Sequence, residues 1–215
     1  MEAAIRFLAP VNNQTADQLF KAIDTKTSQG CKRLHLLISS PGGSVFHGLS
    51  LYNYLKGIPV EVYTYNFGSV DSIGVVIYCA GKKRFSVPHS RFLIHGVKFN
   101  INGNLSIDEK QMEEYLKGLQ IDQRNIAKVI SDNTKKTMED IERDMHNRTT
   151  LNPDEAKAYG LTHEVSSELV RPGIEMLTIS EPMQGQQYGM GQLTFPANGS
   201  FATSDAESLN KNRES

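Results

Sequence analysis

The stretch VEVYTYNFGSVDSIGVVIYCA, from Val60 to Ala80, decides the fold because it leads from a strand through a turn into a helix. Val60–Tyr65 is rich in β-branched and aromatic residues, which favours a strand. Residues 67–71 form a polar turn with a glycine, and Ile73–Ala80 is apolar enough to be a helix in the core. Ser72 therefore stands where a turn passes into a helix.

Ser72 has two interpretations at this place. A serine at the start of a helix commonly caps it, because its hydroxyl oxygen accepts a backbone N–H bond. The same position puts the hydroxyl beside unpaired N–H groups and the positive end of the helix dipole, which can stabilise a developing oxyanion. The segment alone favours the cap, so the catalytic interpretation depends on the rest of the chain.

The same order of strand, glycine turn and helix occurs just upstream. Leu34–Ser40 is almost continuously apolar, as a buried parallel strand would be. Pro41 ends this strand, and Gly42-Gly43 can adopt backbone conformations closed to other residues. Phe46–Leu55 has apolar residues at helical spacing. Two further strands are predicted, at Ala4–Leu8 and Arg91–Gly96.

The repeated alternation predicts an α/β fold, with βαβ units around a mainly parallel sheet. Ligands of such sheets bind beyond the carboxyl ends of the strands. Gly42-Gly43, Ser72 and His95 all fall at or just past predicted strand ends. We therefore expect the topology to bring these residues to one edge of the sheet.

The second half of the chain predicts helices and then a change of composition. Residues 97–107 are an extended excursion with a turn at Asn102-Gly103, and Ser106 caps a helix from Ile107 to about Ser131. Shorter helices are predicted at Met138–Met145, capped by Thr137, and at Asn152–Gly160. Residues 1–172 form the predicted domain. Residues 173–215, rich in Gly, Gln, Ser, Asn and Thr, form a mostly disordered tail with a docking strand near Met176–Ile179.

Composition excludes several classes of protein. The formal net charge of −1 provides no general basic field for nucleic acid or anionic lipid. Cys31 and Cys79 form no metal-spaced or redox-spaced pair, which is typical of reduced residues in a cytosolic protein. The sequence has no secretory signal and no apolar run of the ~18–20 residues that span a membrane. We therefore expect a cytoplasmic protein that uses no cofactor and no metal.

Four separated motifs together resemble the Clp protease proteolytic subunit family. They occur in the family's order with closely matching gaps, and the resemblance covers roughly residues 5–170. The motifs are Ser40-Pro41-Gly42-Gly43-Ser44-Val45, Ser72-Ile73-Gly74, the run from Arg84 to His95, and the run from Asp154 to Leu161. One such motif would be weak evidence, whereas four in register are specific.

The resemblance implies a crotonase-like (ClpP-like) fold and a homo-oligomer of two stacked heptameric rings. It implies an ATP-dependent serine endopeptidase that hydrolyses unfolded polypeptides inside an enclosed chamber, fed by a partner AAA+ ATPase. Residues 97–107 and the helix after them resemble the family's handle, through which the two rings meet. By the same resemblance, the protein needs no cofactor for this chemistry.

The resemblance also assigns roles to individual residues. Ser72 is the nucleophile, His95 is the general base, and the backbone N–H groups of Gly43 and Ile73 form the oxyanion hole. These roles agree with the chemistry, since a hydroxyl becomes a good nucleophile when an imidazole takes its proton. The tetrahedral oxyanion then needs preorganised N–H donors.

The third member of the catalytic triad departs from the family pattern. The family carries an aspartate shortly before the helix that contains Glu155-Ala156. A gap-free fit puts Arg148 at that position, and a shift of one residue puts Asn147 there. Arginine has no acceptor for an imidazole N–H, so Asn147 is predicted to orient His95. Because asparagine carries no charge to stabilise the imidazolium, weak activity is a working hypothesis.

Other functions remain open at this stage. The first predicted strand starts almost at Met1, where the family has a segment that lines the axial pore and meets the ATPase, so docking of an unfoldase stays open. A phage-type head maturation protease shares this fold. The missing aspartate also suggests a non-catalytic ring subunit that supports an active paralogue. A crotonase-type acyl-CoA enzyme ranks lower, because it has no use for a Ser72–His95 pair.

Overall fold

The computed structural model describes residues 1–98 and 106–180. Across these ranges the chain forms one sheet of eight strands, with six helices. The strands are β1 Glu2–Leu8, β2 Arg33–Ser40, β3 Glu61–Asp71, β4 Lys83–Ser86, β5 Arg91–Ile94, β6 Thr149–Leu151, β7 Glu164–Val165 and β8 Met176–Ser180. The helices are α1 Asn13–Ser28, α2 Val45–Gly57, α3 Ile73–Cys79, α4 Glu109–Asp132, α5 Met138–Asn147 and α6 Pro153–Tyr159.

The sheet confirms the predicted α/β architecture. Its main path runs in the order β6-β5-β3-β2-β1-β8, while β4 pairs with β3 and β7. The described strand pairs are parallel except for β5 with β6. Helices α1, α2 and α3 each follow a parallel strand, as βαβ units require. Parallel order brings the carboxyl ends of β2, β3 and β5 to the same edge.

The predicted turn before Ser72 is wrong, because β3 continues through it to Asp71. The first half of β3 pairs with β4, and residues Ser69–Asp71 then pair with β5. Between these halves the register against β2 shifts, so that β3 bulges. The side chain of Asn66 holds the bulge, since its Nδ2 donates to Arg91 O at 2.8 Å and its Oδ1 accepts from Gly68 N–H at 3.0 Å.

The predicted start of the long helix is also displaced. The cap is Asp108 instead of Ser106, and its Oδ1 accepts from Gln111 N–H at 2.8 Å. Asp108 and Gln111 form a reciprocal capping box; Ser106 and Glu109 offer the same spacing in the sequence, so the pattern alone does not decide between the two starts. Thr137 caps α5 as predicted. The Asn102-Gly103 turn lies outside the described residues.

The packing of α3 fixes the start of the candidate site. Every residue of α3 is buried, and α2 lies directly against it. A Cβ added to Gly48 of α2 would come within 2.1 Å of the Ile73 side chain, so these two helices touch through a glycine. Because Ile73 follows Ser72, this contact sets the position of the β3–α3 junction.

The chain after Pro172 contributes a strand to the sheet. The predicted docking strand is present as β8, which pairs in parallel with β1 and places Ile179 opposite Phe7. Residues 181–215 lie outside the described part of the chain, and the division into a domain and a tail at residue 172 stays a prediction. In the described ranges, no helix has both the length and the apolar character to cross a membrane.

Replacement of Ile179 by alanine tests whether β8 docks in solution. Ile179 is 3% exposed, whereas Leu177 on the same strand is 40% exposed. We expect Ile179→Ala to lower the free energy of unfolding by about 2–4 kcal/mol and Leu177→Ala by less than about 0.5 kcal/mol. Urea unfolding followed by circular dichroism measures both. Equal, small effects of the two substitutions would show that β8 contributes no packing.

Candidate active site

Ser72 joins β3 to α3 in a conformation that is rare for a side-chain-bearing residue. Its φ is 58° and its ψ is −127°. Its N–H donates to Leu93 O at 2.8 Å, and its carbonyl accepts from Val75 N–H at 3.0 Å. Although Ser72 occupies the cap position of α3, its side chain makes no capping hydrogen bond. A strained residue that forgoes its capping bond at a strand-to-helix junction is typical of a nucleophile.

The glycine turn after β2 lies against Ser72. Gly42 has a φ of 86° and Gly43 a φ of 145°, a range that L side chains rarely adopt. A Cβ on Gly42 would come within 2.7 Å of Ser72 Cβ, and one on Gly43 within 2.2 Å of Val11 O. Val11 N–H donates to Gly42 O at 2.8 Å, and Ser44 N–H donates to Val11 O at 2.7 Å. These bonds hold the turn between Val11 and the serine.

Two backbone N–H groups beside Ser72 remain available as donors. Among the hydrogen bonds of the described residues, neither Gly43 N–H nor Ile73 N–H has an acceptor. Ile73 is the first residue of α3, so its amide has no acceptor within the helix. An oxyanion needs such preorganised donors. The Ile73 side chain is fully buried and contributes packing.

His95 follows the strand that pairs with the end of β3. In this pairing Asp71 lies opposite Leu93, and His95 comes two residues after Leu93. Its Nδ1 lies 2.7 Å from Gly96 O. Because a carbonyl oxygen only accepts, Nδ1 carries the proton, and Nε2 keeps the lone pair that a general base needs. Gly96 N–H donates to Met145 O at 3.0 Å, which ties this segment to the last turn of α5.

The surroundings of His95 favour its neutral form. Burial lowers its pKa, and the cations of Arg148 and Lys98 lower it further. The Gly96 carbonyl and the Asp71 carboxylate act in the opposite direction. The net effect is a pKa below the ordinary value, so the imidazole is available as a base at neutral pH.

The structure leaves Asn147 apart from the imidazole. Asn147 is the exposed last residue of α5, and no hydrogen bond within residues 1–98 and 106–180 joins it to His95. Arg148 follows as the C-cap, with a left-handed φ of 56°. The acceptor for Nδ1–H is the Gly96 carbonyl. The orienting role of Asn147 therefore stays a prediction.

Asp71 is the residue near the site that the sequence reasoning missed. It lies directly before Ser72 and is 5% exposed. The sequence predicts a turn at this residue, whereas in the structure Asp71 is the last residue of β3 and lies opposite Leu93. The structure therefore brings Ser72, Ile73 and the glycine turn into one place, with His95 at the neighbouring strand end and an additional buried acid.

Comparison with known proteins supports one family. The family model for Clp protease matches residues 1–168. The chain is 30% identical over 158 residues to ATP-dependent Clp protease proteolytic subunit 2 of Corynebacterium glutamicum, covering 72% of this chain and 77% of that protein. It is 30% identical over 165 residues to the ATP-dependent Clp protease proteolytic subunit of Bdellovibrio bacteriovorus, covering 75% and 76%.

A solved structure of a Clp protease subunit has a similar fold. An asparagine-to-aspartate mutant of ClpP1 from Listeria monocytogenes superposes with a TM-score of 0.69 and 26% identity, covering 77% of this chain and 91% of that one. The predicted crotonase-like, ClpP-like fold is confirmed. Because the family model spans most of the 215 residues and the relatives match over most of their length, this chain belongs to the Clp protease proteolytic subunit family, whose role is that of a serine peptidase.

Proposed function

We propose that this protein is a Clp-type serine endopeptidase in which Ser72 is the nucleophile and His95 the general base. Family membership gives the peptidase class. The observation that carries the residue assignment is the backbone of Ser72, with its positive φ and absent capping bond. Within the described residues, neither Gly43 N–H nor Ile73 N–H has an acceptor. The His95 ring carries its proton on Nδ1, which leaves Nε2 as the base.

The reaction proceeds through an acyl-enzyme. His95 Nε2 takes the proton of the Ser72 hydroxyl as Oγ attacks the carbonyl carbon of the peptide bond. The oxyanion that forms accepts hydrogen bonds from Gly43 N–H and Ile73 N–H; loss of one such donor typically slows catalysis by about 10²–10³-fold. The imidazolium then protonates the leaving amine, and water hydrolyses the ester.

The proposed substrate is an unfolded polypeptide that reaches the sites inside a chamber of heptameric rings. The family and the ClpP1 neighbour support this assembly, and the matched relatives are named as ATP-dependent. A partner AAA+ unfoldase would supply the chain in the cytoplasm. The peptide chemistry itself requires no cofactor or metal, because every step uses groups of Ser72, His95 and the backbone.

A weakly active or non-catalytic ring subunit is the second candidate. The observation that favours it is the environment of His95, whose Nδ1–H meets a neutral carbonyl while the Arg148 cation lowers its pKa. A triad aspartate would both orient the ring and stabilise the imidazolium. Asn147, the residue that the sequence predicts as the orienting group, has a neutral amide and would supply no negative charge either.

Labelling with a fluorophosphonate probe tests the nucleophile. We expect the assembled, full-length protein to form an adduct on Ser72, because His95 can accept its proton. His95→Ala should reduce the labelling rate by at least ~10²-fold, whereas His89→Ala should leave it unchanged. Mass spectrometry of the labelled peptide identifies the site. Absence of any adduct would favour the non-catalytic subunit.

Introduction of an acid near His95 tests the third triad position. We expect Asn147→Asp to raise kcat/KM on a fluorogenic peptide by roughly tenfold or more, because a carboxylate stabilises the imidazolium. Arg148→Asp tests the gap-free alignment in the same assay.

Gln120→Glu on α4 is the matched control, since it makes the same amide-to-carboxylate change at an exposed position. It should leave the rate unchanged. If neither Asn147→Asp nor Arg148→Asp exceeds this control, an acid in this region does not limit activity.

The pH profile of kcat/KM tests the lowered pKa of His95. Since the base must be neutral, the rate should fall only as pH drops below the ordinary histidine value of about 6.5. Arg148→Gln removes a cation that disfavours the imidazolium, so it should raise the pKa and move the acid limb to higher pH. Arg171→Gln is the control at an exposed position. An unshifted limb in Arg148→Gln would contradict the electrostatic assignment.

A further inference from the structure

Asp71 is a buried carboxylate that the proposed mechanism leaves without a role. It directly precedes Ser72, and 7% of its side chain is exposed. Oδ1 accepts from the Ser69 hydroxyl at 2.8 Å, and Oδ2 accepts from Arg91 Nη2 at 3.0 Å. Burial raises the pKa of Asp71 above its ordinary value, although the Ser69 and Arg91 contacts act in the opposite direction. A buried charge is costly unless it is paired, so these contacts maintain a carboxylate at this site.

The strand register places His95 two residues beyond the position opposite Asp71. Asp71 pairs with Leu93 in a parallel ladder, so the diagonal neighbours on the same face of β5 are two residues away in each direction. One diagonal neighbour is Arg91, which the carboxylate contacts. The other is the position of His95, which directly follows the end of β5 at Ile94. The electrostatic influence runs both ways, since each group stabilises the charged form of the other.

We propose that Asp71 acts through His95 and supplies the negative charge that neither Asn147 nor Arg148 provides. It does so through its field, because the Nδ1–H of His95 is already donated to Gly96 O. The charge stabilises the imidazolium that forms when His95 takes the Ser72 proton. This role rests on the proposed functions of Ser72 and His95, and it makes Asp71 a positioning residue rather than a group that touches the substrate.

The other groups around His95 either disfavour the imidazolium or carry no charge. Arg148 at the end of α5 and Lys98 on the same segment both disfavour the imidazolium. Helix α4 places the uncharged amide of Gln123 near the residue after His95, since Gln123 Oε1 would lie 3.4 Å from a Cβ on Gly96. Asp71 on β3 is the acid that opposes the two cations. Its partner Arg91 is 43% exposed along its side chain, so solvent screens that cation more than it screens the buried carboxylate.

Two substitutions separate this role from a structural ion pair. Asp71→Asn and Arg91→Gln break the same contact but change the charge beside His95 in opposite directions. The readout is the rate at which the full-length assembly reacts with a fluorophosphonate at Ser72, measured across pH. Asp71→Asn should move the acid limb to lower pH and reduce the plateau rate by roughly five- to tenfold. Arg91→Gln should move the limb to higher pH.

The double variant Asp71→Asn/Arg91→Gln guards against misfolding, because it leaves neither partner buried and unpaired. Its acid limb should lie below that of Arg91→Gln alone. Asp132→Asn, an exposed carboxylate on α4, controls for net charge and should change nothing.

The outcomes distinguish the two proposals. Opposite shifts of the acid limb, with the loss of rate in Asp71→Asn, support the role of Asp71. The role of Asp71 is overturned if the acid limbs of Asp71→Asn and Arg91→Gln shift in the same direction. It is also overturned if the acid limb of the double variant coincides with that of Arg91→Gln alone. In both cases, labelling of Ser72 would still support the proposed peptidase. If the unmodified protein is not labelled at Ser72, the proposed function fails and the role of Asp71 fails with it.

Discussion

The pairing of the second half of β3 with β5 is the interaction on which the candidate site depends. It continues one residue past the strand, where Ser72 N–H donates to Leu93 O. This bond holds the serine at a positive φ, a conformation that costs about 1–3 kcal/mol for residues with a side chain. The fully buried helix that follows offsets this cost, because Ile73 is fixed between the sheet and Gly48.

The bulge in β3 separates the part of the strand that pairs with β4 from the part that pairs with β5. Its first half pairs with β4, and after the bulge its last residues pair with β5. On its other edge β3 pairs with β2 through both halves, so the change of partner occurs on the edge that meets β4 and β5. Asn66 bridges the two halves through its side chain. A polar residue in the middle of a strand thereby determines which strand end lies beside the serine.

The sequence predicted the parts of the fold that local patterns encode. The strands and helices around Gly42-Gly43 and Ser72 follow from apolar periodicity and from glycine and proline, and parallel topology then brings the strand ends together. The sequence did not predict that β3 continues to Asp71, because Asn66, Gly68 and Asp71 have low strand propensity. Pairing with β5, which is distant in sequence, overrides that propensity. Asp108 rather than Ser106 caps α4, although both residues have a glutamate or glutamine three positions later, so the local pattern did not separate the two candidates.

A triad acid normally both orients the histidine and stabilises the imidazolium, and in the proposed mechanism two different groups perform these tasks. Orientation requires an acceptor for Nδ1–H, and the Gly96 carbonyl meets that need with a bond of 2.7 Å. Stabilisation of the imidazolium requires a negative charge, which can act from any direction and through a longer distance. In the proposed mechanism Asp71 provides that charge from β3, the strand that ends at the nucleophile. The carboxylate is then held rigidly relative to Ser72, because both belong to one hydrogen-bonded strand end, whereas Asn147 lies on a separate helix whose position must be set by packing.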